Sequence, residues 1–416
     1  MFKGRFAVIL LGVVGYWLTM ARSLSFWDCG EFIAAANVLG IPHPTGSPLF
    51  VLLGRVFILL FGWINGPAFA VNLISAISSI LCCLLIFEIT IKILPKDLEK
   101  RVHLGFFAAS VSLFGDTFWF NAVEAGAYAI SMTVIMLQIW AALKWKEERS
   151  AKYLLFILYA AFLGLGIHTF CLLPLPAIFV FVLWQRGQPR RAAPTVKNIA
   201  AAVFLIVVGL SSQLYLPIRS STEPILNENN PAELENFLNV ISRKPYGDMS
   251  MFERALYRRG SVANQFGFSE NIGYLGYHLN QWLPAPKRAQ AVEPFVHRVI
   301  FEFLIIAVFA GLWIYRKNPG VILLALMFLL SSVGLVFYLN FADGTKPDSY
   351  NAKRWNEQIK ELRKSVPDSI PNLPDISEIN SLFKFYYALP DEMREMWLQN
   401  APKAEGLRTI FAWEDA

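Results

Sequence analysis

Three ionisable side chains crowd a short stretch near the start of the sequence. Asp28 and Glu31 lie in Ser25-Phe-Trp-Asp28-Cys-Gly-Glu31, and His43 lies in Gly40-Ile-Pro-His43-Pro-Thr-Gly46-Ser-Pro48. Carboxylates three residues apart share one face of a helical turn, and the prolines stiffen the chain around the histidine. One acid can then take a proton from a hydroxyl as a general base, while the second acid and the imidazole position it. A plainer reading competes. Asp-x-x-Glu ahead of the apolar residues Phe32, Ile33, Ala36 and Leu39 is also a capping-box pattern, with Asp28 as N-cap and Glu31 reaching back to it. The two readings are compatible.

Further candidates are scattered along the chain. Glu124 closes Phe118-Trp-Phe-Asn-Ala-Val-Glu124, and His168 closes Gly164-Leu-Gly-Ile-His168. Each sits in a very short break between apolar runs, where an ionisable group is either functional or simply hydrated. Arg219, in Tyr215-Leu-Pro-Ile-Arg219, could grip a phosphate bidentately or snorkel from the end of its apolar run. Arg243-Lys244-Pro-Tyr246-Gly247 is a basic and aromatic cluster of the kind that is usually surface. There is no Walker loop, G-x-S-x-G, H-E-x-x-H or dinucleotide fingerprint, so neither a nucleotide nor a bound zinc is expected. Cys82, Cys83 and Cys171 lie in apolar runs and Cys29 stands alone, which gives neither a disulfide framework nor a cysteine zinc site. No cofactor is expected with assurance; the acids would allow a divalent metal, but no spacing indicates one.

The elements that must position these residues are membrane helices. The 416-residue chain is 55% hydrophobic and only 16% charged, against about 25% charged in ordinary soluble domains. Apolar runs of about 17–25 residues recur, long enough to cross a bilayer core, and in lipid they must be helical. Candidate spans are 6–21, 69–91, 104–121, 125–143, 153–168, 170–184, 198–217, 298–315 and 319–340. The stretch 49–64 is apolar but short and carries Arg55. If it lies along the outer interface, the basic loops at 92–103, 144–152 and 185–197, Arg316-Lys317 and the N-terminal Lys3 and Arg5 all share one side. The positive-inside rule then gives about nine spans, with the N-terminus cytoplasmic and the C-terminus outside. It also explains the net charge of +6 without nucleic acid. The expected fold is an all-α polytopic membrane protein with three extracytoplasmic segments: a first outer loop 22–68, a large outer loop 218–297 and a hydrophilic tail.

Taken together, Trp27-Asp28-Cys-Gly30-Glu31-Phe32 with His43-Pro-Thr-Gly46-Ser-Pro48 resembles the first-loop motif of a large bacterial membrane family related to transmembrane protein 260, a protein O-mannosyltransferase. The blocks around Glu124, Gly166-Ile-His168 and Leu216-Pro-Ile-Arg219, followed by Arg243-Lys-Pro-Tyr246-Gly247, are similar to later blocks in the same order. The likeness covers about residues 5–345 and sets 346–416 apart as a tail. It implies a GT-C-like membrane glycosyltransferase domain over 1–345, with an interfacial helix in the first outer loop and an acidic catalytic residue there, Asp28, supported by Glu31. The implied partners are a polyprenyl-phosphate-linked sugar donor, an extracytoplasmic protein acceptor and the lipid bilayer. The implied location is the bacterial cytoplasmic (inner) membrane with the site facing outward. His43, Glu124, His168, Arg219, Arg243, Lys244 and Tyr246 are the substrate-binding candidates. A transporter or lipid-carrier flippase, and an inactive membrane scaffold, remain the alternatives. Transporters tend to show repeats and helices broken at mid-membrane, whereas the charges here gather at one face.

Overall fold

The computed structural model describes residues 2–25, 28–185, 195–246, 260–268, 273–279 and 294–340, with 256 and 281. The expectations for the tail 346–416, for Trp27, for Gly247 and for most of 247–293 lie outside the described residues. Two compact units emerge, residues 1–249 with 278–335 and residues 250–277 with 336–416.

The first unit is a helical assembly in which no strand occurs among the described residues. Its helices in chain order are α1 (Phe2–Thr19), α2 (Cys29–Val38), α3 (Pro48–Ile93), α4 (Arg101–Leu113), α5 (Asp116–Val123), α6 (Ala127–Glu148) and α7 (Ala151–Gly164). They continue as α8 (Pro174–Trp184), α9 (Val196–Leu210), α10 (Tyr215–Ser220) and α11 (Leu234–Ile241), and later helices cover Pro294–Ile314 and Pro319–Phe328. Five helical stretches of the described chain are long and apolar enough to cross a membrane: Phe2–Thr19, Pro48–Ile93, Ala127–Glu148, Val196–Ser220 and Pro319–Leu339. Val196–Ser220 is only 11% buried over its most apolar window, and so much outward-facing apolar surface needs lipid against it. The chain is an integral membrane protein.

Among the described residues, the count of about nine spans is not matched by nine long helices. Ala151–Gly164 and Thr169–Trp184 are apolar but shorter than a full crossing. The expected span 104–121 divides into α4 and α5, because Gly115 takes an extended conformation (φ −65°, ψ 133°) between them. The freed Asp116 N–H donates to the carbonyl of Gln281 at 2.7 Å. The stretch 49–64 is the first arm of α3. Asn65 (φ −154°, ψ 33°) and Gly66 (φ 81°, ψ 177°) break the helix, and Pro67 starts the second arm, where a missing N–H costs nothing.

Three apolar clusters hold this unit together. Val8 and Tyr16 of α1 pack with Phe69, Phe87 and Leu113; Ile139, Trp145, Phe181 and Leu323 join α6, α8 and Pro319–Phe328. The third cluster carries the candidate site: Cys29, Phe32, Ile33 and Ala36 of α2 meet Phe50, Val71 and Ile74 of both arms of α3, with Ala127 and Ile167. Helix α2 comes so close to α3 that a Cβ on Gly54 would lie 2.6 Å from that of Ala36. In the second unit, Phe266 packs against Tyr274 and Phe337 at ring distances of 5.8 and 5.0 Å. There Gln265 donates to Asn340 at 3.2 Å.

Candidate active site

Helix α2 puts Asp28 and Glu31 on its first turn, but not as a capping box. Asp28 has helical angles (φ −66°, ψ −9°) and makes no side-chain cap hydrogen bond, whereas an N-cap residue is ordinarily extended. Glu31 turns away from the helix start toward the proline-rich turn. One of its oxygens accepts the His43 backbone N–H at 2.7 Å and the other meets His43 Nδ1 at 2.5 Å. The far ring nitrogen, Nε2, lies 4.0 Å from Asp28 Oδ2. His43 thus stands between the two acids, with its ring 5.5 Å from Phe32. Asp28 has the most exposed side chain of the three, at 54% against 29% for His43 and 23% for Glu31, so it is the acid an incoming hydroxyl can reach.

The charges interlock. The Glu31 hydrogen bond raises the His43 imidazole above its ordinary value against the opposing effect of burial, and the charges of Glu31, Asp28 and Glu228 add to it. Burial pushes the Glu31 carboxyl up, but the hydrogen bonds from the His43 ring and backbone, with its charge, outweigh this and leave it below its ordinary value. Around the same point Asp28, Glu31 and His43 each offer a ligand atom within 4.8 Å of the others. A divalent cation fits this donor set, provided His43 releases a proton.

These residues line a cavity of about 450 Å³ whose other walls include Tyr128, His168, Arg243 and Tyr246. His168 arrives because the turn before it is tied to the start of α3. Ser47 donates its hydroxyl to the Ile167 carbonyl at 2.8 Å, and the Leu49 N–H donates to the Gly166 carbonyl at 2.7 Å. His168 Nδ1 accepts the Phe170 N–H at 3.1 Å, which leaves Nε2 to carry the proton of the neutral ring. Burial, then the positive charges of Arg243 and His43, hold it down at about 4, so it is a neutral wall. Arg243 lies 5.1 Å over the Tyr246 ring, and the Tyr246 hydroxyl donates to the Pro44 carbonyl at 3.1 Å. Arg243 has no ion pair among the described residues.

Three other candidates do not line the cavity. Glu124 is buried and accepts a hydrogen bond from Ser25, in the segment before α2; burial raises its carboxyl, and the Ser25 bond acts the other way. Arg219 gives its guanidinium to Leu39 O (2.6 Å), Val38 O (3.1 Å) and Thr222 Oγ1 (3.0 Å). It therefore secures the carbonyl end of α2, which ends in a left-handed Leu39. Lys244 is exposed on the turn beside Arg243. Two residues at the site had no signal in their own surroundings: Tyr128 on the first turn of α6, and Glu228, which reaches Glu31 from a loop about 200 positions away. Asn72, fully buried in α3, supports the approach to Asp28 by donating to Ala21 O at 2.8 Å and standing 3.8 Å from the Cys29 sulfur.

Residues 28–191, which begin at Asp28 and contain α2, the His43 turn and His168, match the family model of the protein O-mannosyl-transferase TMEM260 N-terminal domain. The chain is a relative of the TMEM260 family. The mouse Protein O-mannosyl-transferase TMEM260 is 26% identical over 255 residues, covering 60% of this chain and 35% of the mouse protein. The Dictyostelium discoideum Protein O-mannosyl-transferase tmem260 is 25% identical over 330 residues, covering 70% of this chain and 38% of that protein. The match therefore spans well under half the length of these TMEM260 relatives. No solved structure matches the chain.

Proposed function

We propose that this chain is a GT-C-like membrane glycosyltransferase that moves a hexose, mannose by its likeness to the TMEM260 proteins, from a polyprenyl-phosphate carrier to a hydroxyl of an extracytoplasmic protein. The observation that carries the reading is one cavity holding an accessible carboxylate backed by a His43–Glu31 pair and, on another part of its wall, an arginine with no ion pair among the described residues. Asp28 takes the acceptor hydroxyl proton as the hydroxyl oxygen bonds to the anomeric carbon. The bond from that carbon to the phosphate oxygen breaks, and its electron pair leaves on the phosphate. Arg243 offsets the charge developing there, an electrostatic contribution that commonly dominates such sites. Glu31 fixes His43, and His43 holds the Asp28 carboxylate in position through Nε2. Tyr246 and Tyr128 offer flat faces for a sugar ring.

In this reading the shorter apolar helices complete a bundle of about nine crossings. The first arm of α3 lies along the outer interface, which agrees with the break at 65–66, and the cavity opens outside the cytoplasmic membrane, where a carrier headgroup resides. The test is transfer from a radiolabelled polyprenyl-phosphate hexose to membrane or secreted protein, using the full chain in lipid nanodiscs. Asp28→Asn is expected to lower turnover about 10²–10⁴-fold with membrane insertion unchanged. Equal turnover in the variant ends the base assignment, and absence of transfer by the unaltered protein favours a flippase or an inactive scaffold.

A further inference from the structure

The transfer step uses no part of His168, although this residue lines the same cavity. Its backbone is fixed on both sides. The His168 N–H donates to Gly164 O at 2.9 Å, and the His168 carbonyl accepts the Cys171 N–H at 3.1 Å. The ring is fixed as well. Nδ1 accepts the Phe170 N–H at 3.1 Å, and the ring stands edge-on to Phe170 at 4.3 Å and tilted against Tyr128 at 5.3 Å. A neutral imidazole whose Nδ1 accepts a hydrogen bond carries its proton on Nε2. That Nε2–H meets no acceptor among the described residues, and the Tyr128 hydroxyl has no hydrogen-bond partner among them either. Two neutral polar groups on one stretch of wall are thus left open to the cavity.

We propose that His168 is a specificity-determining residue for the donor sugar: beside the Tyr128 ring, its Nε2–H donates to one hydroxyl oxygen of the hexose on the carrier. The inference rests on the reading of this cavity as the place of hexose transfer. A displacement needs the attacking hydroxyl, the anomeric carbon and the leaving phosphate aligned, so the sugar lies between the base and the guanidinium. Tyr128 is within electrostatic reach of both Asp28 and Arg243, and the wall it forms with His168 therefore flanks the sugar's position. The chemistry of that wall suits the sugar better than the phosphate. Burial and the cations Arg243 and His43 keep His168 neutral, so it offers one directional donor without charge, whereas a phosphate gains most from an arginine. A hexose is uncharged and carries hydroxyls around an apolar ring face, which an aromatic ring and a neutral donor can read together. Because the Phe170 N–H occupies Nδ1, the ring cannot turn to accept instead. A sugar lacking the matching hydroxyl leaves Nε2–H unpaired and is disfavoured.

The test measures equilibrium binding to the full chain in lipid nanodiscs, using polyprenyl-phosphate mannose, a series of its mono-deoxy analogues and bare polyprenyl phosphate. One analogue should bind the unaltered protein about 3–10-fold more weakly than the full sugar, as for loss of one neutral hydrogen bond. His168→Asn keeps an acceptor for the Phe170 N–H but does not extend to the Nε2 position, and in it that analogue and the full sugar should bind alike. His168→Gln carries an amide N–H to the Nε2 position and should restore part of the difference. Bare polyprenyl phosphate should bind all three proteins equally. A histidine with a structural role alone would instead weaken every lipid together. That result overturns the proposal, as does a deoxy penalty that is absent from the unaltered protein or survives in His168→Asn. If His168→Asn fails to fold, His168→Phe, which keeps a ring against Tyr128 and Phe170 without the donor, takes its place with the same outcomes. Hexose transfer is measured on the same samples. Sugar-selective binding that depends on His168 but leads to no transfer supports this role and refutes the transferase reading. Transfer without that dependence refutes the role of His168 alone, and an unaltered protein that binds no polyprenyl-phosphate mannose overturns both.

Discussion

Arg219 and Arg243 make an instructive pair. Arg219 follows an aromatic and proline-containing motif, Tyr215-Leu-Pro-Ile, and Arg243 precedes one, Lys-Pro-Tyr246; on sequence grounds Arg219 could grip a phosphate, while the Arg243 cluster reads as surface. Arg219 is held by two backbone carbonyls at the end of α2 and by Thr222. Arg243 faces the cavity over Tyr246. A guanidinium has five donors in a fixed fork, and whichever acceptors meet that fork first decide its role. Near Arg219 the acceptors are the orphan carbonyls of a short helix; Arg243 instead lines the open cavity.

The comparison can be broken most sharply at Arg243. Arg243→Met should lower hexose transfer about 10²–10³-fold, as for loss of one charge-stabilising donor, with the thermal unfolding midpoint nearly unchanged. Arg219→Met should do the reverse. Losing its bonds to the α2 carbonyls should destabilise the protein by about 1.5–3 kcal/mol, read by thermal unfolding in detergent, with transfer falling only as folded protein is lost. If the two variants exchange these signatures, the assignment of the two arginines is inverted.

Gly46→Ala probes the turn that follows His43, whose carbonyl accepts the Gly46 N–H at 2.7 Å. Gly46 has φ +79°, and a Cβ there would lie 2.6 Å from the Leu216 side chain, so a loss of about 1–3 kcal/mol is expected in the same unfolding assay. The pH dependence of stability sharpens the picture further with a smaller effect. His43 is raised above its ordinary 6.5, so its contribution is full below that value and lost as pH rises through the higher folded value. Glu31 is lowered from 4.5, so its contribution is full above 4.5 and lost as pH falls through the lower folded value. Unfolding midpoints should therefore show a plateau between these limits that His43→Gln removes. The smallest effect concerns metal. Because the Arg243 cation shares the cavity with the Asp28–Glu31–His43 set, chelation by EDTA should leave transfer within about twofold if the base reading holds. A large loss restored by a divalent ion would reassign those three residues as ligands.

Much of this site was legible in the sequence because its chemistry is local. Asp28, Glu31 and His43 fall within sixteen residues, and helix periodicity with a stiff proline turn nearly forces them together. The capping-box reading failed for a reason that spacing does not contain: the His43 N–H and ring supplied a better partner for Glu31 than the helix start. His168 was expected at a border and lies in the cavity wall, whereas Glu124, expected likewise, lies under Ser25. Their surroundings in sequence are alike, and packing separates them. Tyr128 and Glu228 carried no local mark, since a lone aromatic at a helix start and an acid in a polar loop are ordinary on any surface.

Apolar runs, loop charges and the close spacing of Asp28, Glu31 and His43 determined by themselves that this is a helical membrane protein with a cluster of acids and histidine beside its first helix, because hydrophobicity and helical pitch act over neighbouring residues. Tertiary structure alone decided which arginine faces the cavity, that Glu31 serves His43, and that Glu228 stands behind it. Those outcomes depend on which donors and acceptors meet across about 200 residues of chain, such as the bonds joining Ile41 to Leu226 and Glu228.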